Sequence, residues 1–204
     1  MRGIGLIFAF LCAAVSSATA QEQTSPLLGD LPQDPRQAVP PTPGDQQMFN
    51  QGTAYYDSGD YPHAYQVFYW LAEHDDVAAM RNVALMKRRG QGTARDPQGA
   101  MEYLKEAADA GLPTAEADLA DMYLKGEAGA PDPQAALPWL EAAAKANHPV
   151  AQFQLAELYE RGKVTPRDVS KAETLYAAAA ARGVPHAADR LALLRSGAVS
   201  APRP

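Results

Sequence analysis

The chain has 204 residues, 47% of them hydrophobic and 21% charged, a composition that builds a packed core and excludes a disordered chain. Its net charge of −6 argues against nucleic acid or an anionic membrane surface as a partner. The single cysteine, Cys12, lies in an N-terminal apolar run, so beyond that run there is no thiol nucleophile, thiolate zinc site or structural disulfide.

Residues 1–20 read as a cleaved secretory signal peptide: Arg2, an apolar run from Ile4 to about Val15, then small residues ending Ala18-Thr19-Ala20. The run is too short for a comfortable membrane span. Leu11 stands where a lipoprotein needs a small residue before Cys12, so a periplasmic or secreted protein is expected, not a lipoprotein, and no membrane insertion after cleavage. Loss of Arg2 takes the charge from −6 to −7. Residues 21–47 carry Pro26, Pro32, Pro35, Pro40, Pro41 and Pro43 and read as a disordered, semi-rigid spacer.

The next stretch repeats with a period of 36 residues, the signature of stacked units. Frames starting at Ala78, Thr114, Val150 and His186 align Ala79, Ala115, Ala151 and Ala187; Val83, Leu119, Leu155 and Leu191; and Ala84, Ala120, Ala156 and Ala192. Columns three or four residues apart form one stripe of a helix. Gly90, Gly126 and Gly162 end that helix, and Asp96, Asp132 and Asp168 cap the next, with Pro97 and Pro133 at its first position. The second helices align Leu104 with Leu140 and Tyr176 among paired alanines, and close at Gly111, Asn147 and Gly183 before Pro113, Pro149 and Pro185. Pro138, inside a second helix, predicts a kink. The expected units are 48–77, on the same plan with a shorter loop, then 78–113, 114–149 and 150–185, with a capping helix 186–195 closing a solenoid over 48–195. Residues 196–204 read as a disordered tail.

These columns resemble Sel1-like repeats, relatives of tetratricopeptide repeats. The likeness rests on Ala115, Leu119, Ala120, Tyr123, Gly126, Asp132, Ala136, Trp139, Ala143 and Ala144, with Asn147 as a departure, and on Ala151, Leu155, Ala156, Tyr159, Gly162, Asp168, Ala172, Tyr176, Ala179, Ala180 and Gly183. The first unit is more similar to a tetratricopeptide repeat, through Gly52, Tyr55, Ala64 and Phe68. The resemblance implies an all-α, right-handed α-α superhelix that serves as a scaffold for protein assemblies, often in the bacterial envelope. One cysteine-rich branch is linked with penicillin binding; this chain lacks those cysteines.

No catalytic motif is present: no S-x-x-K, no G-x-S-x-G and no H-E-x-x-H. A non-enzymatic protein is therefore expected, without cofactor or metal, and a penicillin-binding or hydrolytic enzyme is the least favoured reading. His74 in Glu73-His74-Asp75-Asp76 reads as a solvated corner, since adjacent helical residues do not converge on one ion. By analogy with tetratricopeptide geometry, first helices line a concave groove whose candidate recognition residues are Phe49, Tyr56, Arg81, Leu85, Arg88, Asp121, Leu124, Phe153, Glu157 and Glu160. This face runs from basic, strengthened by Lys87 and Arg89, to acidic, a gradient suited to an extended segment of an envelope protein lying with its acidic part toward the N-terminal repeats. Two further readings stand beside it: the aromatics between Tyr55 and Trp70 as a glycan- or peptidoglycan-binding surface, and pairing of two copies through the N-terminal repeat.

Overall fold

The structure, a computed structural model, describes residues 44–197. The expected signal peptide, the spacer up to residue 43 and residues 198–204 lie outside them. Within the described residues the chain is helical throughout, in the order α1 (Asp45–Asp57), α2 (Tyr61–Ala72), α3 (Val77–Arg89), α4 (Pro97–Asp109), α5 (Pro113–Lys125), α6 (Pro133–Lys145), α7 (Pro149–Arg161), α8 (Val169–Ala181) and α9 (Ala187–Arg195). Each helix packs chiefly on the ones before and after it in sequence, and the fold is an all-α, right-handed α-α superhelix.

The sequence sets each helix boundary by a local device. Asp96, Asp132 and Asp168 accept the N–H of Gly99, Ala135 and Lys171, each at 2.9 Å, satisfying donors that a helix start leaves open. Asp76, read from sequence as part of a solvated corner, does the same for α3, accepting from Ala79 at 2.8 Å. His148 caps α7 through Nδ1, which accepts from Ala151 N–H at 3.3 Å. Burial holds the His148 imidazolium below its usual range, with Asp118 opposing, so the ring is kept in the neutral form that accepts. At the other ends, left-handed residues turn the chain: Gly90, Gly126 and Gly162 after the first helices, and Gly111, Asn147 and Gly183 after the second. After α2 that place is taken by Asp75, with φ of 64°.

The α3–α4, α5–α6 and α7–α8 loops are tied identically. The N–H of Asp96, Asp132 and Asp168 donates to the carbonyls of Lys87, Tyr123 and Tyr159 at 2.9, 2.8 and 3.1 Å. Helix α1 begins at Asp45, inside the stretch read as spacer, because the prolines end at Pro43 and the carbonyl of Gly44 accepts the first helical hydrogen bond, from Met48. Helix α6 runs unbroken through Pro138.

Alanine columns bring the helices together. Ala79, Ala115 and Ala151, and Ala84, Ala120 and Ala156, are fully buried, while Leu104, Leu140 and Tyr176 fill the space between pairs. Ala192 shares the second of these columns and is exposed, because no second helix follows α9 among the described residues.

Glu116, buried in the column of Met80 and Gln152, is a local misfit: its Oε2 has no hydrogen-bond partner among the described residues. Burial raises its carboxyl above the ordinary glutamate range. A raised carboxyl contributes stability below the unfolded value, about 4.3, and loses it as pH rises through the folded one. Glu116→Gln is therefore expected to match the parent at pH 4 and to exceed it by about 1 kcal/mol at pH 7, read from urea midpoints. An advantage that stayed the same at both pH values would show that the Glu116 charge is not involved.

Candidate peptide-binding groove

The first helices α1, α3, α5 and α7 carry the ten residues expected to form the recognition face, and most of them bond inward. Arg81 on α3 donates from Nε to Asp118 on α5 at 2.7 Å. Arg88 donates to Asp121 at 2.6 Å and from Nε to Glu127 at 2.6 Å, with a second bond from Nη2 to Glu127. Asp121 also accepts from Lys125 at 2.8 Å and from Gln154 on α7 at 3.3 Å. Glu157 pairs with Arg161 at 3.1 Å. Glu160, only 4% exposed, accepts from Tyr176 Oη at 2.6 Å and from Arg190 on α9 at 2.5 Å. Leu124 packs on the α5–α7 core and Phe153 lies edge-on to Tyr176 at 5.4 Å.

The bonds of Arg81, Arg88 and Arg190 cross from one unit to the next and neutralise much of the gradient. Glu127 holds the Arg88 guanidinium above its usual range, against burial, and Arg88 in turn holds the Glu127 carboxyl low. Burial pulls the Asp121 carboxyl upward, but Lys125 and Arg88 outweigh it and the net direction is down. Lys87 is tied to Asp96 at 2.9 Å.

Tyr56 and Leu85 behave differently. They meet across a depression of about 240 Å³ between α1 and α3, lined also by Thr53, Phe68, Asn82, Met86 and Arg89. Phe68 and Met86 are buried, and Phe49 braces Phe68 edge-on at 5.3 Å. On the rim, Tyr56 Oη donates to Gln91 at 3.1 Å and accepts from Arg89 Nη1 at 2.9 Å. Among the described residues Arg89 has no carboxylate within ion-pair distance, and the lining holds no acidic residue. At this volume the depression lies below the ~300–1,000 Å³ of sites that enclose a small molecule, and suits a side chain with its backbone.

The tetratricopeptide analogy missed Asn82 and Met86 and left Arg89 outside the ten, as a residue that only strengthens the basic end. With Leu85 they stand at i, i+3, i+4 and i+7, one helical stripe, whereas Arg81, Leu85 and Arg88 define a stripe turned by about 100°. The periodicity of α3 alone carries the correct stripe, since Arg81 and Arg88 point to α5.

The aromatics between Tyr55 and Trp70 divide. Phe68 and Trp70 are core, while Tyr65 and Tyr69 stack at 5.7 Å on a half-buried face with Tyr103 at 6.3 Å from Tyr69. His74 stacks on Trp70 at 3.8 Å. Among the described residues no three His, Cys, Asp or Glu side chains gather as a metal site requires, and no helix is long and apolar enough to cross a membrane.

Comparison with known proteins follows this architecture. A family model described as Sel1 repeat matches residues 77–112, 113–148 and 149–184, more than half of the chain. Among solved structures, the chain is similar to a Sel1 repeat protein from Oxalobacter formigenes, with 30% identity and a TM-score of 0.67 over 71% of this chain and 59% of that one. It shares its fold with c5321, a protective antigen present in uropathogenic Escherichia coli strains displaying an SLR fold (23% identity, TM-score 0.68, 74% of this chain and 34% of that one). It also shares it with the immunity protein Pa5087 from Pseudomonas aeruginosa (22% identity, TM-score 0.52, 78% and 61%). The chain thus spans less than two thirds of each of these proteins. No curated protein matches it in sequence.

Proposed function

We propose, from the premise that the chain belongs to the Sel1 repeat family, that it is an exported, non-enzymatic scaffold that holds an extended segment of another cell-envelope protein in the groove between α1 and α3. Sel1 repeat proteins are typically protein-interaction scaffolds. The observation that carries the reading is the contrast within one face: Asp118 and Asp121 of α5 and Glu160 of α7 are held by arginines of a neighbouring repeat or of α9, while α1 and α3 leave an apolar depression rimmed by Tyr56, Asn82 and Arg89. Export and an envelope partner rest on the expected signal peptide at 1–20.

The test is affinity capture from the native envelope with the tagged full chain, beside Leu85→Lys, which places a charge in the groove without touching an inter-repeat bond. A protein recovered by the parent and reduced at least about tenfold by the variant, with unchanged circular dichroism, supports the groove. Equal recovery moves recognition elsewhere. Peptidoglycan fragments that bind the parent but not Tyr61→Ala would favour the aromatic surface instead.

A further inference from the structure

We infer that the groove selects an extended segment in which a large apolar residue and an aspartate or glutamate stand two positions apart. This rests on the groove being the recognition site and names what it recognises. The apolar floor of Phe68, Met86 and Leu85 takes one large side chain. Arg89 stands one helical turn beyond Leu85, about 6 Å along α3. In an extended segment, residues i and i+2 face the same side about 6.6 Å apart, so a side chain on Leu85 brings the second one to Arg89. The guanidinium uses one N–H of Nη1 on Tyr56, and its remaining donors are open to a carboxylate, which takes the fork geometry best. Asn82, on the same stripe, offers an amide that both donates to and accepts from a peptide backbone. Of the basic residues of α3, Arg81, Lys87 and Arg88 already hold carboxylates of this chain, and Arg89 alone of the four lines the depression, which gives it the selection of an acidic residue.

The probes are the peptides acetyl-Gly-Ser-Leu-Ser-Glu-Ser-Gly-amide and, for the opposite chain direction, acetyl-Gly-Ser-Glu-Ser-Leu-Ser-Gly-amide, with Glu→Gln and Leu→Ala counterparts, titrated into the full chain while the methyl signals of Leu85 and Met86 are followed by NMR; the order that binds more tightly is the parent peptide. The parent peptide is expected to move both methyls, with a dissociation constant on the order of 1 mM for so short a fragment. Glu→Gln should weaken it about fivefold and Leu→Ala about tenfold. In Arg89→Gln, the Glu and Gln peptides should bind alike, at the level of the Gln peptide on the parent protein. Equal binding of the Glu and Gln peptides to the parent protein, with both methyls still shifting, would overturn the acidic selection and leave the groove intact. Failure of every peptide to move either methyl would overturn the groove itself.

Discussion

Arg88→Ala is expected to cost about 3 kcal/mol and to turn one cooperative unfolding transition into two. Arg88 leaves the second repeat and binds two carboxylates of the third, Asp121 on α5 and Glu127 in the loop behind it. All three side chains are largely withdrawn from solvent, so removing the cation strands charges that have already been desolvated, and a loss near the low end of the 3–5 kcal/mol range for a broken buried pair follows. Lys125 and Gln154 still serve Asp121, so the burden falls on Glu127. Because a solenoid's stability is a sum of units and neighbour interfaces, weakening one interface separates the blocks on either side. Acid shows the same bond with a defined sign. The Asp121 and Glu127 carboxyls are held below their ordinary range; their contribution is present above the unfolded values near 4 and is lost as pH falls through the folded ones. The parent should therefore lose stability below pH 4 more steeply than Arg88→Ala, the opposite sense to Glu116. Guanidinium unfolding at pH 7 and pH 3, followed by circular dichroism, decides it. A loss under about 1 kcal/mol would mean the pairs behave as solvated surface bridges.

The second large effect is expected at the C-terminal end. Arg190→Ala should cost about 2–3 kcal/mol and release α9. Three departures from the repeat pattern meet here: Tyr176 where the other second helices have Leu104 and Leu140, Glu160 where the preceding frame has Leu124, and Arg190 where it has Gln154. A tyrosine in that buried column needs an acceptor for its hydroxyl, and Glu160 provides it. Glu160 in turn needs a cation, and α9 brings it. Without Arg190 the buried carboxylate keeps only the tyrosine, and a nine-residue helix does not persist without its packing. The expected readout is faster proteolysis near residue 185 in Arg190→Ala. Combining Glu160→Leu and Tyr176→Leu restores the pattern of the earlier repeats and should make a further Arg190→Ala nearly neutral. An undiminished cost in that background would show that Arg190 acts by another contact.

The helices were legible because their boundaries rest on single residues with one physical use: aspartate before proline at a helix start, glycine at a left-handed end, alanine where axes approach. The caps at Asp76 and His148 were harder to see, the first hidden among neighbouring acids, the second because histidine is rarely read as a cap. The face was harder still. A charge in a first helix looks like solvated surface until it is matched with a residue near one repeat away, as Arg81 is with Asp118 and Arg88 with Asp121. That offset lies close to the period but differs from it by a helical turn or less, so aligning identical columns conceals the partner. The groove escaped for a related reason, since moving one residue along α3, from Arg88 to Arg89, exchanges a side chain bound to the next repeat for one facing the depression.

The trio at Glu160, Tyr176 and Arg190 also bears on how such an array can lengthen. Duplicating residues 113–148 would carry the loop tie from Asp132 to Tyr123 along intact, but it would give the array a second Asp118 and Glu127 whose preceding helix offers Ala117 and Leu124 in the places of Arg81 and Arg88. Duplicating 149–184 would bury a second Glu160 whose next helix offers Gln154 in the place of Arg190. Copying either unit therefore strands carboxylates, and each junction is chemically specific to the pair of units it joins.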